Sequence, residues 1–185
     1  MKLEEKTIEA RYIYKGSIIN LRKDRVELPT GREASREVVE HNGGVGVAAV
    51  DEDGNVYLVN QFRYPYQAEM LEIPAGKLVK GEEPLACGKR ELKEETGICA
   101  KEYASLGQLY PSPGYTDEII YLYFARGLEY GEQQPDEDEF LDVVKIPLEK
   151  AVDLVLSGEI KDSKTQTALL KVWMILSGCA PSEKA

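Results

Sequence analysis

One short stretch, Gly76 to Ile98, constrains this chain more than any other because it combines helix boundary signals with a dense set of glutamates. Pro84 suits the first turn of a helix, where its missing N–H is not needed. Gly97 suits the left-handed backbone position that commonly ends a helix. The spacing therefore predicts a short helix that begins near Pro84 and ends at Gly97.

Three glutamates of this predicted helix crowd one arc of its surface. Glu91 and Glu95 are four residues apart, as are Arg90 and Glu94, so the members of each pair are neighbours on a helix. Like charges at this spacing disfavour a helix by roughly a few tenths of a kcal/mol per pair in water. A bound divalent cation would reverse that effect. Oxygen ligands favour Mg²⁺ or Mn²⁺ over zinc. A solvated acidic face is the alternative interpretation.

The spacing of the whole stretch favours the metal site. From Gly76 the sequence is a glycine, five residues, a glutamate, seven residues, REL, one residue, EE, one residue, then GI. This pattern resembles the Nudix box, the signature of the Nudix hydrolases. The resemblance implies a loop–helix–loop that binds divalent metal and cleaves a diphosphate linked to another moiety.

The same resemblance implies a role for each charged residue of the box. Glu91 and Glu95 would be the principal metal ligands, and Glu94 would lie close by or pair with Arg90. Glu82 would support the site through a hydrogen bond or a metal-bound water.

Residues outside the box resemble the ADP-ribose pyrophosphatases among these enzymes. The segment EIPAG before the box implies that the backbone carbonyl of Ala75 is a metal ligand. The segment QFR implies that Arg63 contacts the diphosphate, which a guanidinium can bind bidentately. Pro113 lies sixteen residues beyond Gly97, a spacing that resembles the marker of this subgroup. The alternative interpretations are a loop alanine for Ala75, a surface ion pair for Arg63 and an ordinary Pro-Gly turn for Pro113.

The substrate's sugar and base have weaker candidates. Glu118 could reach a ribose hydroxyl. Arg36 and Glu37 lie in the region that contacts adenine in similar enzymes, often from a partner subunit. Some of those enzymes stack the base on tryptophan, whereas this chain offers Arg36, which can also stack. His41 is interpreted as a strand-end residue, since Nudix chemistry needs no histidine.

The acidic loop QPDEDEF supplies the candidates for a general base. In similar enzymes a glutamate of this loop acts as base or as a further metal ligand. Glu139 is the better match and Glu137 the second, while the alternative is a solvated loop. The pattern does not separate the two.

Composition sets the broad class. The chain has 185 residues, 43% hydrophobic and 30% charged, as is ordinary for a globular protein with one substantial core. A net charge of −10 argues against a nucleic-acid partner. Three scattered cysteines, a charged N-terminus and no long apolar run predict a cytoplasmic protein without a membrane partner.

The order of the predicted elements indicates an α+β fold, which the resemblance specifies as a Nudix α/β/α sandwich with a mixed sheet. Residues 7–28 predict two poorly patterned strands, so residues 1–42 are expected to form a small antiparallel β lobe that mediates a homodimer. Residues 43–185 are expected to form the Nudix hydrolase domain. Further strands are predicted at Ser35–His41, Gly44–Val50, Val56–Phe62, Glu102–Leu109, Ile119–Ala125 and Phe140–Ile146, and helices at Pro147–Ser157 and Ser163–Ser177. Met70–Ile73 is expected to lead from the strand Val56–Phe62 to the box.

The predicted activity is hydrolysis of ADP-ribose to AMP and ribose 5-phosphate with Mg²⁺, or Mn²⁺ in its place. Another nucleoside diphosphate sugar, such as GDP-mannose, is the enzymatic alternative. A ligand-sensing Nudix domain would be expected to lose a box carboxylate and to carry a DNA-binding module, and this sequence does neither. A generic acidic interaction domain does not account for the box spacing.

Overall fold

The computed structural model describes residues 2–134 and 140–179, which fall into two compact units. The first unit contains the residues up to Gly43 together with Tyr110–Ile119. The second contains Gly44–Leu109 and the chain from Ile120 onwards. The loop Tyr110–Ile119 thus belongs with the N-terminal strands, although it lies far from them in sequence.

The first unit is a three-stranded antiparallel sheet in the order β1-β2-β3. Every residue of β1 is exposed, which agrees with the predicted lobe strands. The loop Tyr110–Ile119 joins this sheet through a bridge between Val39 and Thr116. The strands are β1 (Lys6–Lys15), β2 (Ile19–Glu27) and β3 (Glu33–His41).

The second unit is built on a seven-stranded mixed sheet. The central strand β4 is parallel to β9, and every other pairing in the sheet is antiparallel. The main path runs β10-β5-β4-β9-β8, while β6 pairs with β5 and β7 with β4. The strands are β4 (Gly44–Val50), β5 (Asn55–Arg63), β6 (Ala68–Glu72), β7 (Ala75–Lys77), β8 (Ile98–Leu109), β9 (Ile120–Tyr130) and β10 (Leu141–Pro147).

Three helices cover the two faces of this sheet: α1 (Pro84–Thr96), α2 (Leu148–Leu156) and α3 (Ser163–Leu176). Alternation along β4 sends Val45 and Val47 into a hydrophobic cluster with Leu92 of α1. Ala48 and Val50 point to the opposite face, into a second cluster that contains residues of α2 and α3. The mixed sheet between helices confirms the predicted α/β/α sandwich.

Most predicted elements are present, with shifted boundaries. The strand after the box begins at Ile98 rather than Glu102, because it pairs with β9 along its whole length. That partner continues to Tyr130 rather than ending at Ala125. Within the described ranges, no helix has the length and apolar character that a membrane crossing would need.

Candidate active site

Helix α1 has the ends that its sequence predicts. Pro84 opens the helix after the extended Glu83, and Gly97 closes it with a φ of 70°. The inner face packs closely on the central strand because Gly88 carries no side chain there. A Cβ at Gly88 would lie 2.9 Å from a Val45 methyl carbon. This close approach sets the distance between α1 and the sheet.

The two predicted metal ligands, Glu91 and Glu95, are buried, with 8% and 2% of their surface exposed. The backbone N–H of Ala75 donates to Glu95 Oε2 at 2.9 Å. A Cβ at Gly76 would lie 1.8 Å from the carboxyl carbon of Glu91, so any side chain at this position would displace that carboxylate. Both carboxylates therefore face the Ala75–Gly76 backbone.

Arg90 draws three carboxylates together. Its guanidinium lies 3.2 Å from Glu82, 2.9 Å from Glu91 and 2.8 Å from Glu94. Burial would lower the pKa of Arg90, but these three carboxylates outweigh it and raise the pKa. The Val79 N–H, followed by Arg90, lowers the pKa of Glu82. Four of the predicted box residues thus form one contact cluster.

Cys87, one turn before Glu91, is a buried thiol rather than a metal ligand. Its Sγ lies 3.6 Å from the Lys77 carbonyl oxygen. Burial, followed by the charges of Glu82 and Glu91, raises its pKa to about 12. The thiol therefore stays protonated at neutral pH.

The donor chemistry here fits a hard divalent cation, since all candidate donors are carboxylate or backbone oxygens. These donors do not supply a complete set of metal ligands. Within residues 2–134 and 140–179, no three His, Cys, Asp or Glu side chains converge as a ready-made metal site. Glu91 and Glu95, with the Ala75 carbonyl as the predicted third donor, would thus share an ion with water or substrate oxygens.

Arg63, the predicted diphosphate contact, is held by a carboxylate that sequence reasoning missed. Its Nε and Nη2 donate to the two oxygens of Glu72, both at 2.7 Å. Glu72 is 1% exposed and also pairs with Lys164 of α3. The hydrogen bond that Arg63 donates to Glu72 is the main cause that raises the pKa of Arg63, and Asp162 and Glu95 add to it. Arg63 therefore lies within electrostatic reach of the box.

The predicted substrate-binding residues other than Arg63 belong to the first unit. Arg36 pairs with Glu5, its Nε donating at 2.8 Å, and Glu37 is exposed. Pro113 is an exposed turn residue. The partly buried Glu118 lies 3.3 Å from His41 Nδ1.

A cavity of about 390 Å³ also lies in the first unit, but it is lined by none of the predicted site residues. Charged side chains of β1, β2 and β3 form most of its wall, so it lacks the chemistry of the box. The lining residues are Glu9, Arg11, Lys23, Asp24, Arg25, Glu33, Ala34 and Ser35.

Glu137 and Glu139 lie outside the described residues, so their placement stays a prediction. The chain that leads towards them contacts the end of α1. Gly131 N–H donates to the Gly97 carbonyl at 2.8 Å, and Gln134 N–H donates to the Glu94 carbonyl at 2.9 Å. The acidic loop therefore starts beside the box helix.

Two family models and several known proteins match this chain. Residues 40–168 match the NUDIX domain, and residues 5–39 match the nucleoside diphosphate sugar hydrolase N-terminal domain. An ADP-ribose pyrophosphatase of Bacillus subtilis is 46% identical over 90% of this chain and 91% of its own. A methanol dehydrogenase activator of Bacillus methanolicus is 43% identical over the same shares.

Two more distant matches bear on fold and substrate. The crystal structure of an ADP compounds hydrolase superposes with a TM-score of 0.83, at 22% identity, over 97% of this chain and 100% of that one. At that identity it shows the fold alone. A GDP-mannose pyrophosphatase of Yersinia pestis is 34% identical over 74% of this chain and 73% of its own.

Proposed function

Because the chain belongs to the Nudix family and is a Nudix hydrolase, we propose that it splits ADP-ribose with water into AMP and ribose 5-phosphate. The buried carboxylate pair of Glu91 and Glu95, turned towards the Ala75–Gly76 backbone, is the observation that carries this proposal. The name of the Bacillus subtilis relative supports the choice of substrate.

Nudix ADP-ribose pyrophosphatases depend in general on a divalent metal ion. Here Glu91, Glu95 and the Ala75 carbonyl would hold it, with Glu82 in support, and Mg²⁺ is the proposed ion with Mn²⁺ as its substitute. Such an ion neutralises diphosphate charge and lowers the pKa of a bound water.

The other side chains bind and orient. Arg90 keeps Glu82, Glu91 and Glu94 in one cluster despite their mutual repulsion. Arg63 binds the diphosphate in this proposal, its guanidinium oriented by the bidentate bond to Glu72. Contacts to the base are assigned to Arg36 and Glu37, and a contact to a ribose hydroxyl to Glu118. Pro113 is assigned to the substrate-binding residues as the marker of the subgroup.

Proton abstraction from the attacking water is assigned to the acidic loop, with Glu139 ahead of Glu137. The metal-holding carboxylates of the box make poor bases, because their charge is committed to the ion. Glu139→Gln should lower kcat with little change in KM if Glu139 is the base. If Glu139 holds metal instead, higher Mg²⁺ should restore much of the rate. If Glu137→Gln has a strongly reduced kcat and Glu139→Gln a near-normal one, Glu137 is the better candidate for the base.

A product-resolved assay tests the activity. Purified protein is incubated with ADP-ribose, GDP-mannose or another nucleoside diphosphate sugar, with Mg²⁺ or EDTA, and the products are separated by chromatography. AMP and ribose 5-phosphate, formed fastest from ADP-ribose and only with metal, support the proposal. Preferential cleavage of GDP-mannose would replace the substrate, and tight binding of ADP-ribose without turnover would indicate a sensor.

The lobe is proposed to form a homodimer in the cytoplasm. β1 is exposed along its whole length, including the large side chains of Ile8, Tyr12 and Tyr14. Exposed apolar strands favour pairing with a second chain. Sedimentation should give twice the chain mass, and a fully active monomer at micromolar concentration would contradict this.

A further inference from the structure

A buried chain of alternating charges lies behind Arg63. Glu72, which accepts two hydrogen bonds from Arg63, also pairs with Lys164. Lys164 Nζ lies 3.1 Å from Asp162 at the other end of the chain. The side chains of Glu72 and Lys164 are only 2% and 10% exposed. The four residues carry two positive and two negative charges, which is the balance that buried ions need.

The position of Lys164 in its own helix is electrostatically unfavourable. Asp162 is the N-cap of α3, because its side chain accepts from the Thr165 N–H, so Lys164 is the second residue of the helix. The N-terminal end of a helix carries partial positive charge and disfavours cations. Lys164 has a long-range partner, Glu72, 92 residues away in sequence. The attraction to this carboxylate explains why a lysine is found at this position.

The same helix end also fixes the backbone that leads to the box. Thr165 Oγ1 donates to Asp162 and accepts from the Ile73 N–H at 2.9 Å. Two residues on, Ala75 is bonded to Glu95 of the box. The segment from Glu72 to Ala75 is therefore held by α3 on one side and by α1 on the other.

We propose that Lys164 is a positioning residue for hydrolysis: it holds Glu72 in the orientation that aims the Arg63 guanidinium at the substrate diphosphate. Without Lys164, the Glu72 carboxylate would lack one of its two cationic partners and would be free to turn away from Arg63. Arg63 would then lose its bidentate anchor. This inference rests on the proposed function, since it assumes that Arg63 binds a diphosphate.

The test is a double-mutant cycle between Lys164→Met and Arg63→Ala, read as kcat and KM for ADP-ribose. Lys164→Met alone should lower kcat/KM by on the order of 10- to 100-fold, as for other changes to residues that orient a site. In the Arg63→Ala background the same substitution should have less than about a threefold effect, because coupled residues are not additive. Lys164→Arg should restore part of the loss.

Lys171→Met is the matched control. Lys171 lies two turns further along α3 and donates to the Leu106 carbonyl at 2.6 Å. Lys171→Met therefore also replaces a lysine of α3 and removes a hydrogen bond that this lysine donates. It should leave kcat/KM near the wild-type value. If Lys164→Met does not fold, the variant that combines it with Asp162→Asn removes one charge of each sign and keeps a capping side chain.

An equal loss of kcat/KM in both Arg63 backgrounds would overturn the inference, because Lys164 would then act independently of Arg63. So would wild-type kinetics in folded Lys164→Met. If the wild-type protein does not hydrolyse ADP-ribose but cleaves another nucleoside diphosphate sugar, only the proposed substrate is overturned. The cycle is then measured on that other sugar, and coupling there still supports the role of Lys164.

Discussion

Arg90 and Arg63 each lie at the centre of an ion-pair cluster, and the two clusters differ in charge balance. Arg90 faces the three carboxylates Glu82, Glu91 and Glu94. Around Arg63, the carboxylates of Glu72 and Asp162 are matched by Arg63 itself and Lys164.

This difference in charge balance suits the two clusters to different roles, metal binding and the orientation of a guanidinium. A cluster with more carboxylates than cations gains stability when a divalent cation arrives, whereas a balanced cluster has no such need. The Arg90 cluster is therefore suited to hold metal. The Arg63 cluster, with its fixed bidentate geometry, is suited to orient a guanidinium.

The largest expected effect comes from Glu95→Gln, which removes the charge of the proposed metal ligand that acts together with Glu91 of the Arg90 cluster. The amide oxygen can still accept from the Ala75 N–H, so the fold should be retained. We expect kcat to fall by on the order of 10²–10⁴, the range for loss of an essential catalytic group. Steady-state kinetics measure this, with Glu102→Gln on an exposed strand position as control. Near-normal turnover in the folded variant would refute the metal-site assignment.

Glu72→Gln tests the balanced cluster through its stability. Burial would raise the pKa of Glu72, but Arg63 and Lys164 outweigh it and hold the pKa below its usual value of 4.5. The ionised carboxylate therefore stabilises the folded state above about pH 4.5, and this contribution is lost as the pH falls through the lowered pKa. Breaking such a buried pair costs about 3–5 kcal/mol near neutral pH.

Urea unfolding from pH 7 to pH 3 measures that prediction. The difference in unfolding free energy between wild type and Glu72→Gln should shrink as the pH falls below 4.5. Glu69→Gln, three residues earlier and exposed on the same strand, should show no such trend. A pH-independent difference would mean that the Glu72 charge does not stabilise the fold.

Gly76→Ala should have the smallest of these effects, on activity rather than stability. The added Cβ would meet the end of the Glu91 side chain at 1.8 Å, and a flexible side chain can move aside. The Glu91 carboxylate would then leave its place beside residue 76. Displacement of a ligand by about 1 Å costs on the order of 10²-fold or less in rate. A titration with Mg²⁺ should recover part of the rate, and an unchanged rate at low Mg²⁺ would contradict a role for Glu91.

The two clusters also differ in how far the sequence predicts them. The Arg90 cluster is local: its residues lie within one turn and one helix, so spacing alone brings Arg90 and Glu94 together. The ends of α1 follow from Pro84 and Gly97 for the same reason. The N-cap of α3 is equally local, because Asp162 directly precedes the helix and aspartate is favoured at that position.

The Arg63 cluster had no such signal, because Glu72 and Lys164 meet only through the tertiary fold. Read alone, Lys164 is an ordinary helix lysine and Glu72 a polar residue of an edge strand. The missed extension of β9 to Tyr130 has a similar cause, since pairing with β8 carries the strand past the polar residues at its end. Long-range partners decide these features.

Metal binding in the absence of substrate tests the central claim most directly. Free Mn²⁺ is followed by electron paramagnetic resonance while it is titrated into wild type, Glu95→Gln and Glu72→Gln, each first shown to be folded. The account predicts that Glu95→Gln weakens binding at least about tenfold, the lower end for changes to a metal site, and that Glu72→Gln matches wild type. Equal binding by wild type and Glu95→Gln, or weakening by Glu72→Gln alone, would contradict it.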